Sequence, residues 1–346
     1  MPRRRSAAAP APTEEARAAV VEAVEEVAMQ PFSPHPIALK PALAPEGALD
    51  ESLPAGEMAQ AVRELREAAM SEGGADCAET VAHMDDFTLA RFLIARENKH
   101  ADALSMLRQT MAWRKEAFGR GVNAIRAELH PASERKEGNA SSVRYAASRA
   151  HFFAGWGGCC KDGSPFFVEK LGRFDVSSVN KDAAVYDLMM DSYVTYLETA
   201  FAMCRVASVR SGRMQRAHTI VDASDVSLSH ATNVRVIKAV AKIGTSYYPE
   251  IMKKVWIVNV PWAFAAVWSL VSPMLPEHTR NKVAILGKNF LPQLALEIDE
   301  SQLPPLLGGT STRPASWLPG AEKVPNTLGD ELRALAGKGE AAVEVS

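Results

Sequence analysis

Hydrophobic and polar positions change rhythm twice along this chain. In the first part apolar residues recur every three or four positions. Leu89, Phe92 and Leu93 fall on one helical face, and Leu104, Leu107, Met111 and Phe118 form a second after a break at residues 98–100. This predicts a small helical subdomain over residues 57–130. From about residue 145, short β-rich runs alternate with longer helical stretches. The strands are predicted at Pro165–Leu171, His218–Val221, Val255–Val260 and Lys282–Leu286, and the helices at Asp182–Ser208, Asn233–Tyr247, Trp262–Met274 and Leu291–Ile298. The run Val255-Trp-Ile-Val-Asn-Val is apolar on both sides, as a strand covered on both faces should be. Alternation of this kind predicts an α/β fold with a mainly parallel, right-handed sheet over residues 145–312.

The two ends lack such periodicity. Residues 1–56 are rich in Ala, Pro and Glu, with prolines at 31, 34, 36, 41, 45 and 54, and are expected to form an extended, disordered tail. Within it, Thr13 is placed to cap a helix carrying a Val20, Val24 and Val27 stripe. Residues 313–346 are again rich in Pro, Gly and Ala and read as a tail with one short helix at 327–336.

Composition narrows the function classes. Hydrophobic residues make up 47% of the 346, ample for a buried core. Lys plus Arg number 39 against 41 Asp plus Glu, so the net charge of −2 offers no general attraction to nucleic acid or an anionic membrane. Membrane contact would have to be local. The basic start, Met1-Pro-Arg-Arg-Arg-Ser, is followed by acidic residues and no apolar run, which argues against a secretory signal. No stretch reaches the roughly 18–20 apolar residues that span a bilayer. Cys77, Cys159, Cys160 and Cys204 fit neither a disulfide framework nor a zinc site by spacing, and no metal is expected. A cytoplasmic, reducing location follows as the simplest expectation.

Motifs of enzymes are missing. No Gly-x-Gly-x-x-Gly joins a strand to a helix, and no phosphate-binding Gly-x-x-x-x-Gly-Lys-Ser/Thr, Gly-x-Ser-x-Gly or His-Glu-x-x-His run occurs. His218 and Asp222 read as buried structural polar residues rather than catalytic groups. The chain is therefore not expected to be an enzyme or to need a cofactor. One segment stands out: Pro261 opens a helix carrying Trp262, Phe264, Val267, Trp268, Leu270 and Val271, with no charge from Pro261 to Pro276. By periodicity it is either a core helix or the lining of an apolar ligand cavity that also meets lipid.

Several ordered motifs resemble those of the Sec14-like (CRAL-TRIO) family. Phe87-Thr-Leu-Ala-Arg-Phe-Leu-Ile-Ala-Arg, followed by Trp113-Arg-Lys, is similar to the family's N-terminal helical region. Asp162-Gly-Ser-Pro-Phe-Phe-Val-Glu-Lys-Leu-Gly resembles its first strand region, Thr219-Ile-Val-Asp its second strand, and Leu303-Pro-Pro-Leu-Leu-Gly-Gly its closing turn. The similarity spans most of residues 85–310. It implies a helical N-terminal subdomain followed by a sheet that floors an apolar lipid pocket, closed by a gate helix at about 262–275. Such a pocket shelters acyl chains from water, each buried methylene being worth about 0.8 kcal/mol. Trp262, Phe264, Val267, Trp268 and Val271 are then pocket or gate residues, with Trp262 and Trp268 candidates for touching the membrane.

The resemblance also implies a headgroup site. Arg96, Glu250, Thr279 and Lys282 stand where phosphatidylinositol-binding members carry their headgroup residues, and Thr219 on the second strand joins them. Cations for the phosphate and a carboxylate for ring hydroxyls suit that ligand. Ala217 stands where members that also take phosphatidylcholine usually have serine, which puts choline lipid in doubt, and Glu97 follows Arg96 where a basic residue is common, which lowers the expected affinity for highly phosphorylated inositol lipids. The run Gly155-Trp-Gly-Gly-Cys-Cys has no counterpart in the family pattern.

The resulting expectation is a cytoplasmic, peripherally membrane-associated protein that binds one membrane lipid, phosphatidylinositol first, and transfers or presents it, with an inositol-lipid kinase as a family-implied partner and no nucleic acid. Two other readings stay open: a carrier of a tocopherol, retinoid, sterol or squalene-like hydrophobe, and a lipid-sensing regulatory module that recruits partners through its tails.

Overall fold

The computed structural model describes residues 14, 55–72, 74–82, 84–129, 144, 147–148, 154–173 and 176–312. The Val20, Val24 and Val27 stripe and the helix expected at 327–336 lie outside these residues.

Among the described residues, five helices build the first layer: α1 (Ala55–Glu72), α2 (Ala75–Ala82), α3 (Asp86–Ile94), α4 (His100–Glu116) and α5 (Val122–Glu128). In α1, Met58, Val62, Leu65 and Ala69 fall at helical spacing and are all buried, against Leu89, Phe92 and Leu93 of α3 and Leu104 and Leu107 of α4. Asp85 caps α3 by accepting from the Thr88 backbone N–H at 2.8 Å. Phe118 departs from the expected face of α4. The helix ends at Glu116, Phe118 adopts φ 52° in a 3-10 turn, and its ring is 45% exposed.

The α/β part follows in the order β1 (Ala154–Cys159), β2 (Pro165–Lys170), α6 (Val176–Lys181), α7 (Ala183–Ser211), β3 (Ala217–Asp222), α8 (Val234–Tyr247), β4 (Met252–Val258), α9 (Phe264–Val271), α10 (Glu277–Arg280), β5 (Val283–Ile285) and α11 (Leu291–Leu294). The five strands form one sheet in sequence order; β2, β3, β4 and β5 are parallel and β1 is antiparallel to β2. Strand β1 is the Gly-rich run that the family pattern left without a counterpart. Glycine is required there by packing, because a Cβ on Gly157 would stand 2.2 Å from Cε2 of Phe166, and the ladder bulges between Trp156 and Gly158. Two helices are shorter than their sequence patterns suggested. The stretch to Met274 is α9 followed by a 3-10 turn at Ser272–Met274, where Pro273 removes a backbone donor, and α11 stops at Leu294.

Alternate residues of the strands serve two different layers. On the back face, Phe166, Val168, Ile220, Trp256 and Val258 are sealed by Leu286, Phe290, Leu294, Ile298, Leu303 and Leu307 of the C-terminal segment. The segment turns back at Gly309, where any Cβ would stand 2.1 Å from the Leu303 carbonyl oxygen. On the front face, Phe167 packs under Ala200, Met203, Cys204 and Ala207 of α7, while Val221 and Ile257 pack under Phe264 and Val267 of α9.

Buried ion pairs and an aromatic stack bind the helical layer to the α/β part. Arg205 Nε of α7 donates to Asp85 at 2.7 Å, and both side chains are almost fully buried. Burial alone would raise the Asp85 carboxyl, but the charge and hydrogen bond of Arg205 hold it below the usual range. Arg114 grips Glu198 of α7 with both terminal nitrogens, one of them at 2.9 Å, and Trp113 stacks on Tyr247 at 4.3 Å. Breaking either pair would strand a buried charge, at a cost of about 3–5 kcal/mol.

Candidate functional site

The parallel strands β3, β4 and β5 all start at the same end of the sheet, and a charged residue stands one or two positions ahead of each start. Arg216 precedes β3, Glu250 stands two residues before β4, and Lys282 precedes β5. The fold thereby brings together side chains far apart in sequence. Arg216 Nε donates to Glu250 Oε2 at 2.9 Å, and Lys282 Nζ lies 3.8 Å from the same oxygen. Lys282 is 25% exposed; burial lowers its ammonium pKa from the ordinary value, and the Glu250 carboxylate opposes that shift. Glu250 has φ 51°, a left-handed backbone that favours glycine, and it is held there from behind. Arg91, fully buried on α3, donates to the Glu250 carbonyl, to the Gln215 carbonyl at 2.6 Å and to Ser208 Oγ at 3.2 Å.

Thr279 belongs to the same corner. It is 8% exposed on α10, and its carbonyl accepts from the Lys282 N–H at 3.1 Å. Thr219 does not join the charged group through any described contact. It sits on the front face of β3, where its hydroxyl lies 3.4 Å from Tyr196 OH. Arg96 is likewise not brought to Glu250: its described bond goes to the Ala95 carbonyl at 3.0 Å, in the turn that follows α3.

Between this corner and α9 the front face is apolar but incompletely packed. Val255 and Val283 on the strands, and Trp268 and Val271 on the helix side, are half-buried beside the fully buried Phe264 and Val267. One carboxyl interrupts this surface. Glu169 of β2 lies near Tyr193 and Tyr196 of α7, and burial pushes it up to about 7. Burial also raises both phenols above their ordinary value. Trp262, just ahead of α9, is 83% exposed.

Residues 149–309 match the family model described as CRAL/TRIO domain. The CRAL-TRIO domain-containing protein YKL091C of Saccharomyces cerevisiae is 32% identical over 232 residues, covering 66% of this chain and 72% of that one. The chain belongs to the Sec14-like CRAL-TRIO family. The Sec14 cytosolic factor of Schizosaccharomyces pombe is 29% identical, covering 67% of this chain and 77% of its own length. The phosphatidylinositol/phosphatidylcholine transfer protein SFH9 of Arabidopsis thaliana is 26% identical, covering 66% of this chain and 37% of its own length.

Within this CRAL-TRIO chain the two tryptophans of the gate region divide. Trp262 points outward, whereas Trp268 is half-buried and stacks on Phe264 with centroids 6.3 Å apart. Val267 is buried beside Phe264, and Val271 lines the same side. Two residues of the charged corner escaped the sequence reading. Arg91 lies inside the Phe87 to Arg96 run, where an arginine in the middle of an apolar helix face signals a buried partner. Arg216 gave no such signal, since only the parallel register of β3 and β4 brings it to Glu250. His218 and Asp222 are both buried. Burial and the nearby Lys253 hold the His218 imidazole down to about 4, while Asp222 faces Lys170 at 3.7 Å and accepts from the Ser224 N–H at 3.0 Å.

No helix among the described residues is long and apolar enough to cross a membrane.

Proposed function

We propose that this protein binds one membrane lipid, phosphatidylinositol first, between the front face of its sheet and α9, and transfers or presents it at membrane surfaces without covalent chemistry. The observation that carries this is the grouping of Glu250, Lys282 and Arg216 at the edge of an incompletely packed apolar face. One carboxylate and two cations leave a net positive charge, suited to a single phosphodiester, while the carboxylate can accept from ring hydroxyls. Arg91, pinned on the Glu250 carbonyl, fixes the corner before a ligand arrives. The acyl chains would lie along Val255, Val283, Trp268 and Val271. The name of the Arabidopsis relative supports the ligand class. The same proposal places the protein in the cytoplasm as a peripheral visitor to membranes, where an inositol-lipid kinase would consume a presented headgroup.

The test is transfer of labelled phosphatidylinositol and phosphatidylcholine between liposomes, side by side, by the wild type and Lys282→Ala. Selective movement of the inositol lipid is expected. It should fall at least about tenfold in the variant, the consequence of losing one charge-assisted hydrogen bond, with the circular dichroism spectrum unchanged. Undiminished transfer by the variant would remove the headgroup assignment. Transfer of neither lipid by the wild type would overturn the ligand, and mass spectrometry of the co-purified lipid would then identify the hydrophobe carried instead.

A further inference from the structure

On the back face of the sheet, the β1–β2 turn meets the second residue of β3. There Cys160 Sγ, a carboxylate oxygen of Asp162 and a ring nitrogen of His218 all lie within 4.8 Å of one another. Cys160 is 2% exposed and His218 fully buried. Among the described residues, neither Nδ1 nor Nε2 of His218 has a hydrogen-bond partner. Trp256 stacks on the ring at 4.8 Å and fixes its plane without pairing either nitrogen, and Glu297 Oε2, 3.9 Å from Nδ1, is too distant to bond. A buried imidazole with both nitrogens idle, beside a buried thiol and a carboxylate, lacks an explanation in packing alone.

The geometry points to a zinc site formed by Cys160, Asp162 and His218. Sulfur, imidazole nitrogen and carboxylate oxygen are the donor types of tetrahedral Zn2+, at about 2.3, 2.0 and 2.1 Å from the metal, which places the donors roughly 3.3–3.7 Å apart. With every pair of donors within 4.8 Å, the cluster stands at most about 1.5 Å from that spacing. Hard cations such as Mg2+ and Ca2+ would want oxygen throughout. Binding forms a Zn–S bond and releases the Cys160 thiol proton to solvent, so the metal's two positive charges meet one thiolate and one carboxylate. Glu297 or a water completes the fourth position.

Two cations oppose occupancy. Lys253 Nζ holds Asp162 Oδ2 at 2.5 Å, and Lys254 Nζ holds Glu297 Oε1 at 2.6 Å. Both ammonium groups are about two-fifths exposed and can swing into solvent, and exposed ion pairs hold weakly. Cys159 is no competitor for this role, because it packs on the opposite face with Phe167. In the sequence, Cys159 and Cys160 are adjacent and lack the spacing of paired zinc ligands. The donors instead come from a turn and a strand more than 50 residues apart, joined only by the parallel pairing of β2 with β3. A metal here would clip the β1–β2 turn to β3 beneath the C-terminal segment.

The full-length protein, stripped of metal by chelator dialysis, is titrated with Co2+ and then with Zn2+ against a chromogenic chelator. One equivalent of Co2+ should bind with a thiolate-to-cobalt charge-transfer band in the near ultraviolet, and zinc should displace it. Cys160→Ser should abolish the band, and Cys159→Ser should leave it intact. His218→Gln should weaken zinc by more than about a hundredfold, beyond the effect of losing an outer partner. Asp162→Asn, which keeps an oxygen to accept from the Ser164 N–H, now at 3.0 Å, should weaken zinc by at least about tenfold. Absence of stoichiometric uptake, binding without the band, or zinc affinity unmoved by both Cys160→Ser and Asp162→Asn would overturn the site.

Discussion

Neighbouring residues on one strand meet very different surroundings in this molecule. On β4, Trp256 and Val258 are at most 1% exposed on the back of the sheet, while Val255 on the front is only half-buried. On β3, Ile220 is fully buried on the back and Thr219 is half-open on the front. The back is closed by a segment whose Leu286, Phe290, Leu294, Ile298, Leu303 and Leu307 interlock with the strands. The front is covered by helices that leave Val255, Val283, Trp268 and Val271 partly accessible. A face that only stabilises the fold buries its apolar surface to native density. A face that keeps apolar surface in reserve can complete its burial with a ligand.

The contrast is broken most severely at Trp256. Trp256→Ala should cost about 3–5 kcal/mol in chemical denaturation, because the back face has no slack with which to refill the space. Val255→Ala, one residue away, should cost only about 1 kcal/mol, since part of the side chain's burial is already missing. Equal losses at the two positions would mean that the front face is a closed core and not a lining.

Much of this contrast was legible in the sequence. The alternation of short apolar runs with long helices gave β2 to β5 and the parallel sheet, because strands covered on both faces must be apolar on both sides. The ordered motifs led to the family and to Glu250, Thr279 and Lys282. What escaped depended on contacts that no local pattern encodes. The Gly155 to Cys160 run reads as irregular until Phe166 is seen lying across Gly157. Trp262 and Trp268 lie in the same uncharged run, yet one is exposed and the other stacks on Phe264. Arg216 and the Cys160–Asp162–His218 cluster exist only through strand register.

A smaller effect sharpens the front face from its polar side. Glu169 titrates at about 7 in the folded protein against an ordinary 4.5, because burial disfavours its charge. In the unfolded chain it ionises first, so between these values the folded state holds more protons and stability falls as pH rises. The loss begins near pH 4.5, is complete just above 7 and is on the order of 3 kcal/mol. Glu169→Gln should remove this slope and make the protein more stable than wild type at pH 8, with little difference at pH 4. Denaturation midpoints at the two pH values decide it. A wild-type slope that survives in the variant would place the titrating group elsewhere.

The smallest expected change in stability belongs to the outer side of the same cover. Trp262 is 83% exposed, so Trp262→Ser removes a ring that the folded state hardly packs, and the denaturation midpoint should stay within about 0.5 kcal/mol of wild type. At a membrane the balance differs, because an exposed aromatic ring beside an uncharged helix gains by entering the headgroup boundary. Liposome co-sedimentation and lipid exchange should therefore fall while stability does not. Trp268→Ser should show the reverse order, losing stability first, because its ring stacks on the buried Phe264. If both substitutions reduced stability and membrane binding in the same proportion, α9 would be one more core helix, and the distinction between the two faces would end at the sheet.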